Sequence, residues 1–130
     1  MIIQISPHEA WQMLQDNDQA ILLDVRDPLE FQLVGHPVGA INIPWKFAPS
    51  WQVNSLFVQQ VEQQFPSPRG PMLLLCRSGQ RSQDAALTLE AAGFNQLYNV
   101  LEGFEGPLDT EKHRSSIGGW RHLGLPWIQS

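Results

Sequence analysis

Apolar residues fall along this chain in two rhythms. Short, mainly apolar runs occur at Ile2–Ile5, Ala20–Val25 and Met72–Cys76. A continuous apolar run ending in polar residues is the pattern of a strand buried on both faces of a parallel sheet. "QLYNV", Gln96–Val100, and a brief stretch near Ala40–Ile43 bring the predicted strands to five. The second rhythm is helical. Val53, Leu56, Phe57, Val61 and Phe65 recur at three- and four-residue spacings with glutamines filling much of the rest, which predicts an amphipathic helix over Val53–Phe65.

Cap signals place the other helices. "SPHE" offers Ser6 as N-cap, Pro7 at the first helical position and Glu9 closing a capping box. "DPLE" repeats the device with Asp27, Pro28 and Glu30, predicting a short second helix. Ala85–Ala92 predicts a helix that Gly93 ends in a left-handed turn, and a short closing helix is expected near Trp120. Strands alternating with helices require crossover connections, so the chain is expected to form an α/β doubly wound fold. Its five-stranded, mostly parallel sheet should carry helices on both faces, all in one domain over residues 1–130.

Composition narrows the partners. The 130 residues carry 8 Lys and Arg against 13 Asp and Glu, a formal charge of −5. No basic field exists to neutralise phosphates, so no nucleic-acid partner is expected. Apolar runs fall far short of the roughly 20 residues that span a bilayer, and Met1 leads straight into "IIQI" without a basic leader. The expectation is a soluble, cytoplasmic protein with no membrane association. The four histidines, His8, His36, His113 and His122, are scattered without ligand spacing beside a single cysteine. No metal and no cofactor are therefore expected.

That cysteine is the candidate for chemistry. "LLLCRSGQRSQDAA", Leu73–Ala86, places Cys76 at the carboxyl end of a buried strand with a helix to follow. Ligands bind beyond such strand ends in open α/β sheets. A Cys after three leucines is by itself often a small core residue. If Arg77, Ser78, Gly79, Gln80 and Arg81 curl around its sulfur, however, their amides and the helix dipole form an anion cradle. Such a cradle favours thiolate over thiol and makes the sulfur a nucleophile. Gly79 supplies the positive φ that a tight loop of this kind needs.

Cys, two residues, Gly, one residue, Arg on a strand–loop–helix resembles the active-site loop of the rhodanese family of sulfurtransferases. "LLDVRDPLEFQLVGHPVGAINIP", Leu22–Pro44, resembles the family's amino-terminal signature. "NVLEGFEGPLD" and "GGWRHLGLPW" resemble its carboxyl-terminal signature, split by an insertion. The similarity runs from about Ile2 to Trp127 and implies a rhodanese-like fold. It implies a Cys76 that takes sulfane sulfur from a small-molecule donor such as thiosulfate, holds it as a persulfide and passes it to a thiol or cyanide acceptor or to a sulfur-relay protein. Arg77, Ser78, Gly79, Gln80 and Arg81 would bind the substrate. Dual-specificity phosphatases shelter a thiolate in a related loop but place five residues between Cys and Arg, where this chain has four. The competing class is a non-enzymatic module that binds a partner or carries sulfur. Redox sensing is a third class, although no resolving Cys is present in the sequence.

Other conspicuous residues have structural readings. Asp24 and Arg26 suit a buried ion pair better than a substrate contact. Asp27 and Glu30 look like an acid–base dyad, yet capping explains both. His36 matches the family's turn histidine and is expected to hold its loop by hydrogen bonding. Trp45 and Trp51 are the tryptophans placed to rim a binding site. The insertion Glu105–Ile117 fits a lid or docking loop as well as a neutral surface loop.

Overall fold

The structure, a computed structural model, describes residues 1–129. Its elements in chain order are β1 (Ile2–Ile5), α1 (Pro7–Asp16), β2 (Ile21–Asp24), β3 (His36–Pro37), β4 (Ile41–Asn42), β5 (Lys46–Phe47) and β6 (Gln52–Val53), then α2 (Phe57–Gln64), β7 (Met72–Leu75), α3 (Gln80–Ala91), β8 (Leu97–Val100) and β9 (Trp127–Ile128). The five strands read from the sequence form one sheet in the order β1-β8-β7-β2-β4, with every pairing parallel. The fold is the expected doubly wound α/β arrangement.

Strand β7 shows why the sheet is buried on both sides. Met72, Leu74 and Cys76 pack with Leu23, Leu97, Phe57, Val61 and Leu89 under α2 and α3. Leu73 and Leu75 pack oppositely with Leu22, Val100, Ala10, Phe104 and Trp120 under α1 and the carboxyl-terminal segment. Side chains alternate across a strand, so an uninterrupted leucine run serves both layers. Each fully buried leucine contributes about 1.5–3 kcal/mol of transfer free energy. Helix α1 starts as its sequence signals: the Glu9 N–H donates to Ser6 Oγ at 3.1 Å and the Ser6 N–H donates to the Glu9 carboxylate at 2.8 Å.

The short helix expected after Asp27 is present over residues 28–34, its Glu30–Val34 part in π-helical form, and the His36 ring meets the Phe31 carbonyl at 2.8 Å and stacks on the Phe31 ring at 3.6 Å. Three other elements differ from expectation. Helix α2 starts at Phe57 because Val53 belongs to a β5–β6 hairpin, and Asn54 Oδ1 accepts the Leu56 N–H at 3.0 Å in the turn between them. Helix α3 starts earlier than predicted, at Gln80, since Gly79 at φ 113° turns the chain from loop to helix in one step.

No helix forms near Trp120. That residue is fully buried, its indole N–H donates to the Pro126 carbonyl at 2.9 Å, and its ring meets Trp11 edge-on at 6.0 Å. Anchoring this large side chain pulls the segment into turns. The chain then closes as β9, antiparallel to β3.

Candidate active site

Cys76 follows β7 directly and is buried. Its Sγ accepts the Gly79 N–H at 3.1 Å and lies 3.3 Å from the Ser82 hydroxyl. The positive end of the twelve-residue α3 opens at Gly79, so the sulfur faces an amide and a helix dipole together. Of the five loop residues read from the sequence, Arg77, Ser78, Gln80 and Arg81 line one cavity of about 370 Å³ with Cys76. Gly79 contributes its amide from behind.

The Ser82 hydroxyl lies within hydrogen-bonding distance of three acceptors: Cys76 Sγ, the Gly79 carbonyl and Asn99 Oδ1. It has one proton to donate. Asn99, on β8, turns its amide N–H groups to the Gly79 carbonyl at 3.2 Å and to Gln4 Oε1 at 2.8 Å. The loop is thus tied to two strands by a buried polar cluster, because Ser82 and Asn99 have almost no exposed surface.

Arg81 does not point freely into the cavity. Its Nη1 and Nη2 donate to the two Glu30 carboxylate oxygens at 2.7 and 2.9 Å, and the guanidinium sits 4.9 Å from the Trp51 ring centroid. Burial favours the neutral Glu30 carboxyl, but the hydrogen bonds and charge of Arg81, the Asp27 amide and the Arg26 charge outweigh it and hold the group below the usual carboxylate range. Burial likewise opposes the charge on Arg81, and Glu30, with smaller contributions from Cys76 and Asp24, raises its pKa further. Glu30 therefore has a second task beyond capping, where its Oε1 also accepts the Asp27 N–H at 3.1 Å.

A hairpin forms the opposite wall. Lys46 and Trp51, on and beside β5–β6, line the same cavity as Cys76. The hairpin is pinned where the Trp45 N–H meets the Val25 carbonyl at 2.9 Å and where the Ala48 N–H meets Asp27 Oδ2 at 2.9 Å. Trp51 adopts φ 59°, a left-handed conformation uncommon outside glycine and asparagine. Of the two tryptophans expected at the rim, Trp51 is there, whereas Trp45 packs inward against Phe57 at 5.3 Å.

Below the loop, Gly103 lets two chain segments touch. Its φ is 59°, and a Cβ there would lie 2.4 Å from the Cys76 carbonyl oxygen. That closeness allows the Phe104 N–H to reach the Cys76 carbonyl at 2.8 Å and the Glu105 N–H to reach that of Arg77 at 3.0 Å.

Asp24 and Arg26 form a buried ion pair away from the cavity, with Nη2 at 2.7 Å from Oδ2. Arg26 also donates to the Gly35 carbonyl at 2.7 Å and lies 4.6 Å from the Phe104 centroid. The structural reading of this pair fits these contacts. His36 is occupied in holding its turn. Within the insertion, Pro107, Leu108 and Arg114 line a second cavity with Gln4, Leu101 and the loop residues Ser78, Gly79 and Gln80, and Ser78 and Gln80 also line the cavity that holds Cys76.

Sequence reading missed Lys46, Ser82, Asn99, Gly103 and the second partner of Glu30. Ser82 carries a local signal, lying one residue past Arg81 and on the inner face of the first turn of α3. The others reach the site through tertiary contacts, which no spacing announces.

Known proteins resemble this chain in sequence and in overall fold. The rhodanese-like domain family profile matches residues 6–108. The crystal structure of Rv0390 from M. tuberculosis superimposes with a TM-score of 0.88 at 40% identity, covering 98% of this chain and 97% of that one. The thiosulfate sulfurtransferase GlpE of Haemophilus influenzae is 32% identical over 82% of this chain and 94% of its own length. The RP600 homolog of Rickettsia rickettsii is 36% identical over 92% of this chain and 91% of its own.

Proposed function

The chain belongs to the rhodanese-like domain family, one of its relatives being the thiosulfate sulfurtransferase of Haemophilus influenzae, and on that premise we propose that it moves sulfane sulfur through a persulfide on Cys76. Residues 1–130 act in this reading as one such domain, working in the cytoplasm. The donor is a small molecule such as thiosulfate, and the acceptor is a thiol, cyanide or a sulfur-relay protein.

The observation that carries the proposal is the placement of Cys76 Sγ. It lies at the head of α3, against the Gly79 amide and the Ser82 hydroxyl, in a cavity lined by Lys46, Arg77 and Arg81. In the first half-reaction the thiolate attacks the outer sulfur of thiosulfate. A new S–S bond forms, the donor's S–S bond breaks, and its electron pair leaves with sulfite. In the second, a nucleophilic acceptor takes the outer sulfur and the thiolate is restored. Splitting the transfer this way replaces one difficult step with two easier ones. The negative charge stays at the sulfur end throughout, so one set of amide and dipole contacts serves thiolate and persulfide alike.

Intact mass spectrometry tests this directly. Wild-type protein should gain one sulfur from thiosulfate and lose it to cyanide, while Cys76→Ser gains none. A folded wild type that takes no sulfur from thiosulfate or from persulfide donors would transfer the loop's role to partner binding.

A further inference from the structure

Arg81 is the cation that the sequence motif nominates for substrate charge, yet it is already engaged by both oxygens of Glu30. The charges left open at the cavity are Arg77, on the loop, and Lys46, on the hairpin. Neither side chain makes a hydrogen bond or an ion pair among the described residues, and no carboxylate lines the cavity. Lys46 is half-buried there. With no protein counter-ion beside it, a lysine on the cavity wall presents a free positive charge to an anion entering from solution. The placement is also built: Trp45 N–H and Ala48 N–H pin the hairpin on either side of Lys46. Trp51 has an uncommon left-handed backbone conformation and its ring lies over Arg81, and strained residues of this kind concentrate at functional sites.

We propose that Lys46 is the specificity determinant for the part of the donor that is not transferred, favouring donors whose leaving half departs with two negative charges over those whose leaving half departs with one, and so thiosulfate over monoanionic thiosulfonates. The chemistry rests on the sulfurtransferase reading above, but the binding does not. In thiosulfate, attack at the outer sulfur expels sulfite with the bonding electrons, so negative charge gathers on the oxygens of the leaving half. In methanethiosulfonate the same attack expels methanesulfinate, which carries one charge fewer. A cation on the cavity wall opposite the loop meets this half while the loop amide meets the transferred sulfur.

The test is a ¹⁵N NMR titration of the Cys76→Ser protein, in which turnover is blocked, with thiosulfate and separately with methanethiosulfonate. Introducing Lys46→Gln should raise Kd about tenfold for thiosulfate and about threefold for methanethiosulfonate, in line with a partly solvated charge pair. Lys46→Arg should restore binding to within about twofold, since charge rather than shape is at issue. Lys46→Met provides a second neutral variant, and the spectrum itself reports its fold. Equal losses for the two anions, unchanged affinities, or no binding by the Lys46 protein would overturn the proposal. Charge-dependent binding through Lys46, together with no sulfur gain on wild-type Cys76, would uphold it and overturn the sulfurtransferase reading instead.

Discussion

Arg81 and Glu30, 51 residues apart in the chain, meet through two parallel N–H···O bonds of 2.7 and 2.9 Å. This fork-to-fork geometry is the strongest form of the ion pair, and both side chains are mostly buried, at 13% and 16% exposure. The pair fastens the loop after β7 to the turn after β2, so the orientation of the cavity wall depends on it.

Glu30→Gln should lower stability by about 2 kcal/mol, between the small value of surface pairs and the 3–5 kcal/mol of fully buried ones. For a chain of this size that is a fall in Tm of about 6–10 °C. The sign of the pH dependence follows from Glu30's depressed pKa. The pair's contribution is complete above the unfolded carboxylate value of about 4.3 and is lost as pH falls through the lower folded value. Thermal melts of wild type and Glu30→Gln should therefore differ at pH 7, with the difference shrinking progressively as pH falls below the unfolded value of about 4.3. A constant difference across that range would count against the pair as the cause.

Ser82→Ala strands the buried Asn99 Oδ1 and removes the hydroxyl facing Cys76 Sγ. An unsatisfied buried acceptor costs about 1–3 kcal/mol. Denaturant melts should show that loss, and combining Ser82→Ala with Asn99→Ala should cost less than the two single losses added together. Additive losses would mean the two groups do not act as one cluster.

Gly103→Ala and Gly39→Ala make a matched pair, because both glycines have positive φ, 59° and 85°. At Gly39 a Cβ meets nothing within 4 Å, whereas at Gly103 it would lie 2.4 Å from the Cys76 carbonyl oxygen. Gly39→Ala should cost about 1 kcal/mol of backbone strain. Gly103→Ala should cost at least 2 kcal/mol more and slow sulfur loading about tenfold or beyond by displacing the loop, since misplacement of about 1 Å at a reacting atom costs up to 100-fold. Melting curves with single-turnover mass spectrometry read both.

Asp24→Ala leaves the Arg26 guanidinium fully buried without its counter-ion. The expected loss is about 3–5 kcal/mol, with little change in sulfur transfer per folded molecule. A stable Asp24→Ala protein with lost transfer would instead place this pair in the reaction.

Legibility from sequence followed the range of the forces involved. The five strands were readable because strand burial is recorded in consecutive residues, and α1 because a capping box spans four. The starts of α2 and α3 were misplaced because tertiary pairing overruled local periodicity: Val53 joined the hairpin opposite Lys46, and Gly79 opened α3 five residues before the apolar pattern did. At the site, Cys76 and its loop were contiguous and therefore visible. Glu30 looked fully explained by capping, and only the folded chain brings Arg81 to it. Lys46 carries no local signal at all, being one of eight cations until the hairpin delivers it to the cavity.

The alternation along β7 also acts as an address for the reactive atom. Because Met72 and Leu74 face α2 and α3 while Leu73 and Leu75 face α1 and Trp120, Cys76 emerges on the first side by parity alone. Deleting one residue between Gly70 and Leu75 would keep every leucine in a leucine-lined layer and preserve most of the core's composition. It would nonetheless deliver the thiol to the opposite layer, beneath Phe104 and Trp120, away from the Gly79 amide and the Lys46 wall. Chain length between the preceding turn and Cys76 is thus under tighter constraint than the identity of the apolar residues that fill it.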